Sequence, residues 1–280
     1  MILSNPDMLH RSLLPTHERW AAFSGTDRGA RARMILSSMG GDVATGLVGA
    51  GTQVGVGLLV QQAAKRIPIP GLGNIIGGGM SLHYLFSGGG RALVNEMGHG
   101  LHALGDLAHG RVSWQTIADL VAGAKALLEM IGHVANVVSG LCYGFAAIAA
   151  IGTLLSIIFP PLAACASAIP VLIDFGQAAG AIGTIALAVA NILSIFPPIF
   201  RGLHLVFSND DPFRLMKQEQ TFHEETQNAI ANYGAMGANR LISGHGPIHE
   251  IQESTQNLRN SFSGRGGGGA HGGGEGHAEV

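Results

Sequence analysis

Charged side chains are scarce in this sequence, and aromatic side chains are scarcer still. Asp, Glu, Lys and Arg make up 12% of the 280 residues, which is about half the share found in typical globular domains. Aromatic residues contribute 6%, although 47% of the chain is hydrophobic and the mean hydropathy is +0.32. The net charge of −2 lacks the positive excess of a polyanion-binding protein. We therefore expect no nucleic-acid partner.

The sequence also lacks the usual marks of catalysis, redox chemistry and signal-directed export. It has no Walker, GxSxG or Rossmann fingerprint, and its two cysteines, Cys142 and Cys165, lie in apolar sequence without metal-binding spacing. Charges interrupt the first twenty residues, so they predict no Sec-type signal peptide. We expect no enzymatic activity, cofactor or metal, and either insertion through internal segments or export by a dedicated machine.

Glycine is abundant, at 43 residues, and it recurs in two charge-free stretches. Residues 43–64 place small side chains three or four apart, a pattern that allows close helix packing in a membrane or in a tight soluble helix pair. Residues 67–90 contain Pro68, Pro70 and two runs of three glycines. That composition predicts a loop or re-entrant segment.

The strongest pattern is an apolar helical hairpin. Residues 134–159 contain no Asp, Glu, Lys or Arg and exceed the roughly 20 residues that span hydrocarbon. Pro160 ends this span, and a second span follows at 175–196. We expect 160–176, including Asp174, to connect the two. Lys125 and Arg201 flank the outer ends, which favours the cytoplasmic side for those ends.

Two sets of hairpin residues are predicted to act in a membrane. The membrane-inserting set is Leu141, Phe145, Ile148, Ile151, Leu154, Leu155, Ile158, Ile182, Ile185, Leu187, Val189, Ile192 and Leu193. Small residues let helices approach closely, and the helix-packing set is Gly144, Gly152, Gly180 and Gly183.

Helix signals flank the hairpin. An amphipathic helix is expected at 91–110 with Gly110 as its stop, and Ser113 is placed to cap a helix that begins at Trp114. Asp211 before Pro212 predicts another start, with a polar helix to about Ser243. The expected fold is all-α, a Gly/Ala-rich bundle around a central hydrophobic hairpin that is either membrane-inserting or integral to a membrane. Its five regions are a polar N-terminal segment (1–42), a Gly-rich helical region (43–111), the amphipathic helix plus hairpin (112–208), a polar helical region (209–262) and a disordered Gly/His-rich tail (263–280).

The run Asn95-Glu96-Met97-Gly98-His99 looks like the HExxH motif of zinc peptidases with Asn in place of the first His. Asn is a poor zinc ligand, so the motif is degenerate and leaves at most the relic of a peptidase. The same helix carries a stripe of four polar side chains, which fall within an arc of about 80° around the helix axis. The stripe comprises His99, His102, Asp106 and His109.

Three interpretations of the stripe stand: a solvated polar face, a pH sensor or a metal site. Histidine titrates near pH 6.5, so acid would change the charge of this helix. Asp174 has two interpretations, a turn residue or a carboxylate whose protonation favours insertion. His245 and His249 surround Gly246 and Pro247, which predicts a loop.

Residues 112–243 resemble the hydrophobic helical region of bacterial secreted polymorphic toxins and of contractile-injection-system cargo. The likeness lies in the amphipathic helix from Trp114 to Ile131, the charge-free hairpin and the polar helix that opens with Asp211-Pro212-Phe213. Pore-forming colicins also use a buried apolar hairpin. The resemblance implies a protein that stores the hairpin and then inserts it into a target membrane, with the lipid bilayer, and either secretion machinery or further copies of the chain, as partners.

Three functions remain open from the sequence. The first is a secreted, membrane-inserting effector, toxin or translocation module that acts through the 134–196 hairpin. The second is a resident membrane protein with a structural or assembly role. The third is a soluble helical protein that buries the hairpin in a bundle or oligomer. For the first two functions we expect the protein to reside in a membrane, or to be secreted by a dedicated machine and targeted to one.

Overall fold

A computed structural model describes residues 28–66, 71–210, 212–243 and 247–263, and this part of the chain is all-helical, without a β-strand. The expected all-α class is confirmed. The predictions made for 1–27, Pro68, Pro70, Asp211, His245 and 264–280 lie outside the described residues. The helices are α1 (Arg28–Arg66), α2 (Leu72–Tyr84), α3 (Gly90–Ala108), α4 (Trp114–Leu155), α5 (Ala168–Leu193), α6 (Phe196–Phe207), α7 (Pro212–Ser243) and α8 (Pro247–Ser263).

Helix α4 is a single element of 42 residues that joins the predicted amphipathic helix to the first apolar span. It begins as expected at Ser113, whose Oγ accepts a hydrogen bond from the backbone N–H of Thr116 at 3.0 Å. Gly110, with φ of +75°, ends the preceding turn. At 1.5 Å per residue α4 is about 63 Å long, twice the hydrocarbon thickness of a bilayer.

The connection between the two apolar helices is shorter than the sequence predicts. Helix α4 ends at Leu155, a 3₁₀-helix occupies Pro160–Ser167, and α5 begins at Ala168. Asp174 therefore lies in α5, and its prediction as a residue of the turn is wrong. Pro170 does not prevent this early start, because the first turn of a helix tolerates proline.

Helix α2 corrects the prediction of a loop or re-entrant segment at 67–90. Leu72–Tyr84 is helical and packs on α4. A Cβ added at Gly78 would lie 2.8 Å from the carbonyl oxygen of Asn136 and 2.9 Å from the Cα of Gly140. The glycines thus permit backbone contact between the helices. A π-helical turn, Leu85–Gly89, links α2 to α3 and contains Gly88 at φ of +111°.

The other helices pack on the α4–α5 hairpin or on one another. Helices α2, α3 and α6 pack on α4, while α8 packs on α5 and α1 packs on α7. The prolines after the second span begin α6, where they fit the first helical turn. A hydrophobic cluster joins α1, α6 and α7, and it consists of Met34, Ile35, Leu205, Leu215 and Phe222.

Candidate membrane-facing hairpin and its ionic base

The hairpin leaves large apolar side chains exposed where α4 meets its 3₁₀ connection. Leu154 is 71% exposed, Ile158 is 71% exposed and Ile157 is 88% exposed. Leu154 and Ile158 belong to the predicted inserting set, and six other members of the set are also exposed: Leu141, Phe145, Ile148, Ile151, Leu155 and Ile182. The remaining members, Ile185, Leu187, Val189, Ile192 and Leu193, are half-buried. The exposure is therefore concentrated towards the connection, and we define 141–175 as the hairpin tip.

By length and composition, two helical stretches of the described chain could cross a membrane, Trp114–Leu155 and Pro160–Phe207. In the most apolar 18-residue window of each stretch, 22% of the residues are buried for Trp114–Leu155 and 33% for Pro160–Phe207. A core helix of a soluble protein would be mostly buried. Monomeric soluble proteins rarely expose large contiguous apolar patches, so this surface marks a membrane, a partner or an interface between copies.

Three of the four predicted packing glycines lie against a neighbouring element. A Cβ at Gly183 would collide with the side-chain amide of Asn136, and one at Gly180 would lie 3.0 Å from Oγ of Ser139. A Cβ added at Gly152 would lie 3.3 Å from Sγ of Cys165. Gly144 differs, because no atom lies within 4 Å of an added Cβ. It lines an apolar groove between α2 and α4, so it does not serve helix packing.

Charged side chains hold the opposite end of the hairpin together. Arg201 of α6 is buried, and it donates to Asp119 Oδ1 of α4 at 2.8 Å and to Glu225 Oε2 of α7 at 2.7 Å. One guanidinium thus joins three helices. Arg is suited to this position because its planar, always charged group donates several hydrogen bonds at once.

A second group of charges continues this contact onto α3. Lys125 Nζ lies 3.2 Å from Glu129 Oε1 and 3.9 Å from Glu96 Oε2. The Glu96 side chain is 43% exposed overall, yet its Oε2 atom is shielded and accepts no hydrogen bond. A polar cavity of about 30 Å³ separates Glu96 and Lys125 from Glu225. We call the six side chains the ionic network: Glu96, Asp119, Lys125, Glu129, Arg201 and Glu225.

The ionic network contains four carboxylates and two cations, and burial raises the pKa of two of its acids, Glu225 and Glu96. Burial raises the pKa of Glu225 to about 7, because its cost outweighs the attraction of Arg201. Burial also raises the pKa of Glu96, against the opposing charge of Lys125. The degenerate peptidase motif thus contributes its glutamate to the network, while Asn95 and His99 remain exposed.

The predicted histidine stripe lies on the surface of α3. His99, His102 and His109 are exposed, and Asp106 pairs at 3.8 Å with Arg111. Asp174 is exposed as well. Among the described residues no three His, Cys, Asp or Glu side chains are arranged to hold a metal ion. The stripe is thus a solvent-exposed face, and its interpretation as a pH sensor stays a prediction. His249 lies in α8, which corrects the loop prediction there.

Sequence reasoning missed the ionic network because its members are far apart in the chain. A partial signal existed in Lys125 and Glu129, which are four residues apart on one helix. Another was Arg201, the first charge after the second apolar span. In comparisons with known proteins, the chain matches no family model, no curated sequence and no solved structure at a significant level.

Proposed function

We propose that this protein inserts into membranes through the α4–α5 hairpin, as a secreted bacterial effector or as the translocation module of one. The observation that supports the proposal is the exposed apolar tip of a helix, α4, of whose most apolar window only 22% is buried. Moving such surface out of water contributes roughly 25 cal/mol per Å². The tip therefore carries a driving force for insertion that the bundle leaves unused.

The backbone and the serine hydroxyls of the tip suit an apolar environment, and Asp174 is the one charged side chain within 141–175, a group that is costly in lipid unless it is protonated. Helical segments satisfy their own backbone hydrogen bonds, which a bilayer requires. The hydroxyl of Ser156 donates to the carbonyl of Thr153 at 2.6 Å, and that of Ser167 donates to Ala164 at 2.8 Å. These side chains need no water, so they add little cost to transfer into lipid.

The charges of α4 divide the helix into a base and a membrane-competent half. Asp119, Lys125 and Glu129 all precede Val134, and the remainder to Leu155 carries no charge. That remainder is about 33 Å long at 1.5 Å per residue, which matches the hydrocarbon core of about 30 Å. Insertion proceeds until the charged base reaches the interface, where the ionic network stays in contact with water.

A resident membrane protein with a structural or assembly role is the second candidate. The specific observation in its favour is α1, whose charge-free part exposes Val48 at 72% and Leu59 at 68%. A second apolar helix face suits permanent association with lipid. Carbonate washing of membranes from producing cells separates the two: a resident protein stays in the pellet, whereas a stored effector appears in the soluble fraction.

The decisive experiment is dye release from anionic liposomes by the purified full-length protein at pH 7.4 and at about pH 5, which spans histidine titration. We expect release by the wild type and its loss in Leu154→Glu. Leu101→Glu is the matched control, since Leu101 on α3 is 70% exposed against 71% for Leu154. Release that rises in acid supports the exposed histidines and Asp174 as triggers.

Two results contradict the proposal. One is a soluble protein that releases no dye at either pH, which favours the third function, a hairpin buried in an oligomer. The other is equal loss of release in Leu154→Glu and Leu101→Glu, because the tip would then have no special role.

A further inference from the structure

A cavity of about 530 Å³ lies between α1, α6 and α7, away from the hairpin tip. This volume falls within the range of about 300–1,000 Å³ that small-molecule sites occupy. Its walls are almost wholly apolar and include Leu36 and Met39 of α1, Ile199 and Val206 of α6 and Phe222 of α7. The shape and chemistry suit a long apolar ligand.

The walls of the cavity offer a water molecule few hydrogen-bond partners. Thr226 is the polar side chain among the lining residues, and its hydroxyl donates to the carbonyl of Phe222 at 2.7 Å. Ordered buried water needs two to four polar partners. The cavity is therefore suited to a hydrocarbon chain, which loses no hydrogen bonds on entry.

Two arginines of α1 precede the lining residues of the cavity. Arg28 and Arg31 lie one helical turn before the lining residues Ala32 and Ile35, so they share that face of α1. Arg28 is exposed, and its guanidinium lies 5.4 Å from the ring centroid of Phe207, the residue next to Val206. Arg31 is 5% exposed and donates to the carbonyl of Ser208 at 2.6 Å.

We propose that this cavity binds a fatty acid, with the alkyl chain between α1, α6 and α7 and the carboxylate at Arg28. Charge complementarity selects this occupant: an open apolar cavity with the exposed Arg28 beside it matches a hydrocarbon chain that ends in an anion. The site is independent of membrane insertion, because none of its walls belongs to the hairpin tip.

The test is calorimetric titration of the purified full-length protein with laurate, kept below the concentration at which laurate forms micelles. We expect saturable binding with one laurate per chain. Leu36→Glu places a charge against the alkyl chain and weakens binding by about tenfold or more. Leu59→Glu is the matched control on the same helix, since Leu36 is 67% exposed and Leu59 is 68% exposed.

A second comparison tests the head-group contact. Arg28→Gln should weaken laurate binding several-fold and leave binding of dodecanol, the uncharged analogue, unchanged. Leu154→Glu should keep full laurate affinity even if it abolishes dye release, which separates this site from the hairpin.

Three outcomes overturn the proposal. Uptake that never saturates, or that falls equally in Leu36→Glu and Leu59→Glu, would mean partitioning onto exposed apolar surface. Equal affinity for laurate and dodecanol with no effect of Arg28→Gln would remove the carboxylate contact. A dimer that Leu36→Glu dissociates, in a wild type that binds no laurate, would assign the cavity to a second copy of the chain.

Discussion

The guanidinium of Arg201 lies 2.7 Å from a carboxylate oxygen of Glu225, and this contact ties the polar helix α7 to the end of the apolar hairpin. Asp119 occupies the other side of the same guanidinium at 2.8 Å. A buried charge left without its partner is strongly destabilising. The stability of the bundle therefore depends on this one side chain more than on most apolar contacts.

Replacing Arg201 with Met should lower the free energy of unfolding by about 3–5 kcal/mol, since Asp119 and Glu225 then lack their cation. The measurement is denaturant unfolding followed by circular dichroism. Arg91→Met is the control, because Arg91 is exposed on α3 and should change stability by less than about 0.5 kcal/mol. Equal effects of the two changes would show that the network contributes nothing.

Glu225 should make stability fall as pH rises. Its pKa is about 7 in the folded protein against an ordinary value of 4.5, so between these values the folded state holds a proton that the unfolded state has released. The contribution is complete below pH 4.5 and is lost through pH 7, with a slope of up to about 1.4 kcal/mol per pH unit. Unfolding measured from pH 5 to 8 gives this slope.

The matched pair for this pH dependence is Glu225→Gln and Glu224→Gln. Glu224 is exposed one position earlier on α7. We expect Glu225→Gln to reduce the slope and Glu224→Gln to keep it. A slope that survives in Glu225→Gln would assign the proton uptake to another group, with Glu96 the next to test by the same substitution.

Gly183→Leu should weaken the packing of α4 against α5 by about 1–3 kcal/mol, because overpacking displaces neighbours. The added side chain meets the amide of Asn136 and lies 3.1 Å from the carbonyl of Gly132. Gly144→Leu is the control, since its Cβ enters open space and the change raises helix propensity by about 0.8 kcal/mol. Thermal unfolding should separate the two variants, and an unchanged Gly183→Leu would contradict the close packing.

The packing of α3 against α4 should depend on another close backbone contact, the one between Gly100 and Gly123. A Cβ at Gly100 would lie 2.7 Å from the Cα of Gly123, so Gly100→Ala should destabilise the protein by about 1–3 kcal/mol. Gly98→Ala, two positions away and in open space, should be neutral or stabilising. The reverse order in melting temperature would refute the contact.

Helix α8 should act as a cover for part of the hairpin, because it packs on α5. A chain that ends at Ser243 should bind liposomes more strongly than the full-length protein, since more apolar surface of α5 is then exposed. A chain that ends at Ser263 is the control, because it keeps α8. Flotation of each protein with liposomes measures binding, and equal binding of the two truncated chains would exclude the role of α8 as a cover.

The hairpin could be predicted from the sequence because its physics is local. Charge-free runs of sufficient length stop at paired prolines, and each stop corresponds to the end of a helix. Helix α2 could not be predicted in the same way. Its glycines and flanking prolines disfavour a helix by propensity alone, and the contact of Gly78 with Gly140 stabilises it only after α4 is in place.

The candidate site was likewise predictable in part. Local sequence indicates which residues of 141–158 are apolar, but it does not show that neighbouring helices leave them exposed. The ionic network depends on long-range pairs such as Asp119 with Arg201, which no local spacing reveals. Sequence also placed Asp174 in a turn because Pro170 precedes it, whereas the first turn of α5 accommodates that proline.

The continuity of α4 has a mechanical consequence. The same unbroken helix carries Asp119 in the ionic network and Leu154 at the tip. The charged base and the apolar tip are therefore parts of one hydrogen-bonded helix rather than of two separate elements. A movement of the whole helix that carries Leu154 towards a membrane must also shift Asp119 relative to Arg201.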